Sequence, residues 1–167
     1  MSGVSAAQTV TIIKDLGFTD VISIPDGESR HLYQALIDDH EIEVYLPTRE
    51  GEGIALAAGL WVGGRHPLVL LQNTGLMEAG DALRGCGIGP SIPLLLLVGW
   101  RGYPAASIGA LPIDSAYPYT EPLLRAWEIP HRRLMSDEDL GVIGEMASVA
   151  AGTSKPAAVV YGYAFTP

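Results

Sequence analysis

Short runs of consecutive apolar residues alternate along the chain with longer stretches whose apolar residues recur at helical spacing. The runs are Val21–Pro25, Glu43–Pro47, Leu68–Gln72, Pro93–Val98 and Ala157–Tyr161, with a weaker sixth at Pro130–Leu134. Several are apolar at every position, as strands covered on both faces should be. Helical candidates lie between them at Ser5–Leu16, Ser29–Asp38, Gly51–Val62, Met77–Gly85, Pro118–Trp127 and Asp137–Ala151. Gly17 is placed to end the first, and Ser136 or Asp137 to cap the last. This alternation predicts a doubly wound α/β fold: a mainly parallel six-stranded sheet with helices on both faces. The segment Tyr103–Tyr119, rich in Pro, Gly and Ser, reads as a long loop, of the kind that shapes selectivity by folding over a site.

In such sheets ligands sit beyond the carboxyl ends of the strands. The residues expected there are P-D-G-E-S (Pro25–Ser29), P-T-R-E (Pro47–Glu50), Q-N-T-G (Gln72–Gly75) and G-W-R-G (Gly99–Gly102). All four carry polar or glycine residues directly after apolar strands. Glu50 stands where a strand hands over to an Ala/Gly-rich helix. At about 3.6 residues per turn it shares a face with Ile54, Ala57, Ala58 and Trp61, whereas Glu52 falls nearly opposite, toward water. A carboxylate on a packed face costs several kcal/mol unless it finds a partner. Glu50 is therefore either a first-turn glutamate favoured by the helix dipole or a group that exchanges a proton with a bound heterocycle.

Composition narrows the function classes. The 167 residues suffice for one domain over 1–167, and 48% hydrophobic against 17% charged residues suits a buried sheet. A formal charge of −9, with no basic cluster beyond Arg132-Arg133, argues against nucleic-acid or anionic-membrane binding. Cys86 is the only cysteine, and the first residues lack the basic and apolar blocks of a signal peptide; both point to the cytoplasm. No His or Cys spacing suggests a metal site in this chain.

The set Glu50, Ala57-Ala58 and Gly59 resembles the pyrimidine-binding domain of thiamine-diphosphate enzymes. T-R-E-x-E-G (Thr48–Gly53), L-Q-N-T-G-L (Leu71–Leu76) and G-W-R-G (Gly99–Gly102) together resemble the decarboxylases of sulfopyruvate and phosphonopyruvate. The likeness runs over about Pro25 to Gly102; Met77-Glu78 depart from it, standing where that family often has Gly-Asn. The resemblance implies that Glu50 hydrogen-bonds a ring nitrogen of the cofactor's aminopyrimidine. It also implies that Thr48, Gln72, Asn73 and Thr74 face the cofactor. Asp26, Asn73 and Arg101 are implied substrate residues, with Arg101 the natural partner of an anionic tail. The implied reaction is decarboxylation of a small 2-oxo acid to an aldehyde.

The family also requires a diphosphate-binding domain that holds magnesium through G-D-G and a downstream asparagine. This chain has no G-D-G, and Asn73 is its only asparagine. The resemblance therefore implies a partner (beta) subunit carrying the G-D-G…N motif and the magnesium, in a hetero-oligomer with at least two copies of each chain. Two alternatives remain open on sequence: a thiamine-dependent carboligase subunit, and a non-catalytic α/β ligand-binding or regulatory module.

Overall fold

The computed structural model describes residues 3–112 and 114–167. Its elements follow in the order β1 (Val4–Ser5), α1 (Ala6–Asp15), β2 (Asp20–Ser23), α2 (Arg30–Asp38), β3 (Glu43–Tyr45), α3 (Glu50–Val62) and β4 (Pro67–Gln72). Next come α4 (Asn73–Glu78), α5 (Gly80–Ala82), a π-helical turn (Leu83–Ile88), β5 (Leu95–Gly99) and α6 (Tyr103–Ser107). A 3-10 turn (Tyr117–Tyr119), α7 (Thr120–Ala126), β6 (His131–Leu134), a 3-10 turn (Asp137–Asp139), α8 (Gly141–Thr153), β7 (Ala157–Tyr161) and β8 (Phe165–Thr166) complete the chain. Six strands form one parallel sheet in the order β3-β2-β4-β5-β7-β6. The expected doubly wound architecture is therefore present, with every predicted strand in it.

Two cores cover the two faces of this sheet. On one, Val10, Ile13, Leu32, Leu36, Ile143 and Met146 of α1, α2 and α8 pack on alternate strand residues such as Leu68, Leu70 and Leu97. On the other, Ile54, Ala57, Leu76, Leu83 and Leu124 meet Val69, Leu71, Leu96 and Val98. Alternate residues of β4 and β5 thus serve opposite faces. Burial on both faces is why these strands read as unbroken apolar runs.

The helix ends follow the local chemistry. Gly17, at φ +82°, ends α1, with its N–H on Lys14 O and the Phe18 N–H on Ile13 O. Ser136 and Asp139 form a reciprocal capping box ahead of α8. Two expectations are corrected. The helix predicted from Met77 begins at Asn73, and the loop expected over Tyr103–Tyr119 contains α6 and the 3-10 turn. In the latter segment Trp100 stacks on Tyr117 at 5.3 Å and its indole N–H donates to Tyr117 O, a tertiary anchor that local composition does not reveal. Ile113, within it, lies outside the described residues. The pair β1–β8 forms a separate two-stranded parallel ribbon that the sequence pattern did not indicate.

Candidate active site

Because the sheet is parallel, β3, β2, β4 and β5 deliver their carboxyl ends side by side. The four loops singled out by sequence thus line one edge. The start of α3 is its most heavily built point. Arg49 is the extended N-cap, and Glu50 opens the helix. A helix leaves its first N–H groups without intrahelical partners. Here two carboxylates attend to that end. Glu52 accepts from the Thr48 N–H at 2.8 Å and from the Thr48 hydroxyl at 2.7 Å. Glu78, reaching over from α4, accepts from the Gly51 N–H at 2.8 Å and from Arg49 Nε at 2.9 Å. These donors hold the Glu78 carboxyl below its usual range, the Arg49 guanidinium first and the Gly51 N–H second.

Glu50 lies between these two. Among the described residues no side-chain hydrogen bond or ion pair engages its carboxylate, whereas both neighbouring acids are engaged. The side chain is half-buried and rests on Gly75 of α4. A Cβ on Gly75 would stand 2.5 Å from Glu50 Oε1 and 2.6 Å from its Cγ. The glycine is thus required for Glu50 to lie where it does. The expected facing holds for Ile54 (0% exposed), Ala57 (0%) and Ala58 (6%) but not for Trp61, which is 40% exposed. Trp61 instead borders an apolar cleft with Leu16, Phe18 and Pro67, at the amino edge of the sheet, where α3 has run past its cover. Glu52 is exposed as expected, yet it is bonded to Thr48 rather than only to water.

The loop after β4 divides in two. Asn73 is fully buried. Its amide donates to Arg101 O and to the Thr120 hydroxyl, both at 3.2 Å, and its Oδ1 accepts from the Thr74 N–H at 3.1 Å. It clips the β4 loop to the β5 loop and to α7, so its amide is engaged by the protein itself. The Thr48 hydroxyl is likewise committed to Glu52. Gln72 and Thr74 are half-buried beside Glu50's seat on Gly75 and keep their side-chain groups free of protein hydrogen bonds among the described residues.

Arg101 follows β5 and is exposed, with its Nε 3.5 Å from Asp114 Oδ2. Asp26 follows β2. Its Oδ1 accepts from the Ser29 N–H at 2.8 Å, while its Oδ2 is buried with no partner. Burial, and then the charge of Asp26, push the neighbouring Glu28 carboxyl up. Glu28, Gly75 and Glu78 lie inside the quoted motifs but were not singled out as site residues, and Asp114 was not singled out at all; Glu78 and Asp114 gain their places through partners distant in sequence.

The residues present fit one half of a thiamine cofactor. An unengaged carboxylate pressed onto a glycine, with free amide and hydroxyl groups beside it, suits the edge of a polar heterocycle. A diphosphate and its metal require hard oxygen ligands, and among the described residues no group of three or more His, Cys, Asp or Glu is placed to hold a metal ion. Those described residues also contain no helix long and apolar enough to cross a membrane.

Comparison with known proteins identifies the family. Residues 5–117 match the family described as thiamine pyrophosphate enzyme, N-terminal TPP binding domain. The chain is 30% identical over 150 residues to the sulfopyruvate decarboxylase subunit alpha of Methanococcus maripaludis, covering 89% of this chain and 88% of that one. It is 32% identical over 150 residues to the subunit of the same name from Methanothermobacter thermautotrophicus, covering 89% of each. A phosphonopyruvate decarboxylase of Streptomyces viridochromogenes is 33% identical over 101 residues, 60% of this chain but 25% of that one. Among solved structures, the thiamine diphosphate-dependent 4-hydroxybenzoylformate decarboxylase of Rhodococcus jostii RHA1 superposes with a TM-score of 0.75. At 19% identity, over 99% of this chain and 32% of that one, it supports the fold alone.

Proposed function

Because the chain belongs to the thiamine pyrophosphate enzyme family through its N-terminal TPP-binding domain, we propose that it is the pyrimidine-binding subunit of a thiamine-diphosphate-dependent decarboxylase. Its substrate is a small 2-oxo acid with an anionic tail, which it converts to carbon dioxide and an aldehyde. The observation that carries this reading is Glu50, the one carboxylate at the α3 start with no structural task, seated on Gly75. When bound, the cofactor supplies a carbon that adds to the keto group and takes up the electron pair released with carbon dioxide. The residues of this chain do the rest on the pyrimidine side. Glu50 holds a proton at a ring nitrogen, and Gln72 and Thr74 orient the ring. Asn73 keeps the β4 and β5 loops in register, so that Arg101 faces the substrate tail. Asp26 offers its unpartnered Oδ2 near the reacting centre.

The full-length relatives named as alpha subunits, matched over nearly their whole length, support a partner chain. That partner supplies the G-D-G…N motif, the magnesium and the diphosphate site. The test is co-expression with such a partner, followed by carbon dioxide release from a panel of 2-oxo acids. Glu50→Gln should lower turnover by about 10²–10⁴-fold, the usual contribution of a positioned proton-transfer group. Glu52→Gln should cost much less, since Glu52 acts only on the helix start. Near-normal turnover in Glu50→Gln would remove the assignment.

A further inference from the structure

A cavity of about 360 Å³ opens at the carboxyl ends of β2 and β5, lined by Glu28, Arg101, Gly102, Pro104, Ala105 and Asp114. In the sheet β4 runs between those two strands, and the loop after it carries Gln72, Thr74 and the Gly75 seat of Glu50. The cavity therefore borders the place that suits the heterocycle. Glu28, Arg101 and Asp114 are the charged or titratable residues in its wall, and two of them are spent on each other. Arg101 Nε lies 3.5 Å from Asp114 Oδ2, and Asp114 Oδ1 accepts from the Ala116 N–H at 2.7 Å. A guanidinium does not give up its proton, and Asp114 is engaged on both oxygens.

Glu28 is the group that remains. Among the described residues no ion pair reaches its carboxyl, which meets that of Asp26 across Gly27. Asp26 Oδ1 accepts from the Ser29 N–H, but its Oδ2 is buried without a partner. Ionised carboxylates are acceptors only, so two of them cannot satisfy each other. One proton on Glu28 makes it a donor and gives the orphaned Asp26 oxygen its partner. Burial first, and the charge of Asp26, hold that proton against the opposing pulls of the Glu28 backbone and of Arg101. The other titratable neighbour is Tyr161 of β7, 1% exposed and pressed on Gly99, where an added Cβ would stand 2.7 Å from its hydroxyl. Burial pushes the Tyr161 hydroxyl well up, and it does not line the cavity.

We propose that Glu28 is the acid of the reaction: from the cavity wall it gives a proton to the carbon that has just lost carbon dioxide, and Asp26 holds that proton in place beforehand. The proposal rests on the decarboxylase reading. In the step, the bond between the former keto carbon and the carboxylate breaks, and its electron pair stays on the side of the former keto carbon. The new C–H bond uses the Glu28 proton, the aldehyde leaves, and water restores the proton to Glu28. The sum is one 2-oxo acid anion and one proton giving carbon dioxide and an aldehyde. Glu50 serves a different proton, the one at the ring nitrogen.

The test uses the complex with its partner subunit and the 2-oxo acid it turns over fastest, with two readouts. Aldehyde formation needs the proton. Carbon dioxide release in the presence of ferricyanide does not, because the electron pair passes to two ferricyanide ions and water completes a carboxylic acid instead. Glu28→Gln should lower aldehyde formation by about 10²–10⁴-fold and leave ferricyanide-coupled release within a few-fold of the native complex. Glu28→Asp, which keeps a carboxyl, should recover part of the aldehyde formation. In the native complex aldehyde formation should fall as pH rises through the raised Glu28 value, and ferricyanide-coupled release should not share that fall. Undiminished aldehyde formation in Glu28→Gln, an equal loss of both readouts in a variant that still assembles, or a shared fall with pH in the native complex overturns the proposal; where the variant does not assemble, the two native pH profiles decide. Each of these outcomes leaves carbon dioxide release by the native complex intact and removes the role of Glu28 alone. No carbon dioxide from any 2-oxo acid in the native complex removes the decarboxylase reading, and this proposal with it.

Discussion

Glu50 keeps its position because residue 75 has no side chain. Within a helix, alanine is favoured over glycine by about 1 kcal/mol, so Gly75→Ala should not weaken α4 by propensity. The added methyl would collide with Glu50, whose Oε1 lies 2.5 Å from the site of the new Cβ. That obstacle is the end of a flexible side chain, which can swing aside. The expected outcome is a protein that unfolds within about 1 kcal/mol of the native chain but turns over about 100-fold more slowly, since displacements near 1 Å cost that much. Thermal unfolding and steady-state turnover of the same preparation check it; equal activity would mean that Glu50 need not rest on residue 75. The same scale explains the burial of Asn73. Its sequence context, Gln-Asn-Thr-Gly, reads equally as a turn and as a ligand loop. What decides is Thr120, 47 positions away, whose hydroxyl accepts from the Asn73 amide.

At the scale of elements, α3 and α4 act as one device. Gly75 and Glu78 sit three residues apart on α4, hence on one face. The first seats Glu50, and the second grips the residues on either side of it, Arg49 and Gly51. Glu78 thus stands where the sequence departs from its family likeness, and it has a structural task there. Glu78→Ala should release the α3 start, lower the thermal midpoint and reduce turnover by about tenfold, while Glu78→Gln, which still accepts from Gly51, should recover part of both. The pH dependence has a fixed sign. The Glu78 carboxyl is held below its usual value of 4.5, so its contribution is present above that value and is lost as pH falls through the lowered one. The stability gap between native and Glu78→Ala proteins should therefore close in acid. A gap that persists at pH 2 would assign the effect to packing instead.

At the scale of the molecule, the proposed function assigns this fold one half of a site. The four loops meet at one sheet edge, and the outer face of α3, with Ala55 and Gly59 exposed, is open in this chain. The chain by itself should bind thiamine diphosphate with magnesium only weakly. Adding the partner should bring tight binding, together with a change in sedimentation to a species containing both chains. Tight magnesium-dependent binding by this chain alone would overturn the division of the site.

The order of elements was legible because it rests on local periodicity: buried parallel strands must be apolar at consecutive positions, and the helices between them must carry an apolar stripe. The site edge was legible for the same reason, since polar loops following such strands have few other places to go. Glu50 was singled out by its strand-to-helix position. The sequence could not decide which of three glutamates near the α3 start is free, whether Asn73 faces a ligand or the interior, or what charge surrounds Arg101. Those depend on pairings between residues 13 to 47 positions apart and on the crowding of loops from four strands. A hydrogen bond or a Coulomb interaction is set by distances of a few ångströms, and only the packed sheet brings those groups together.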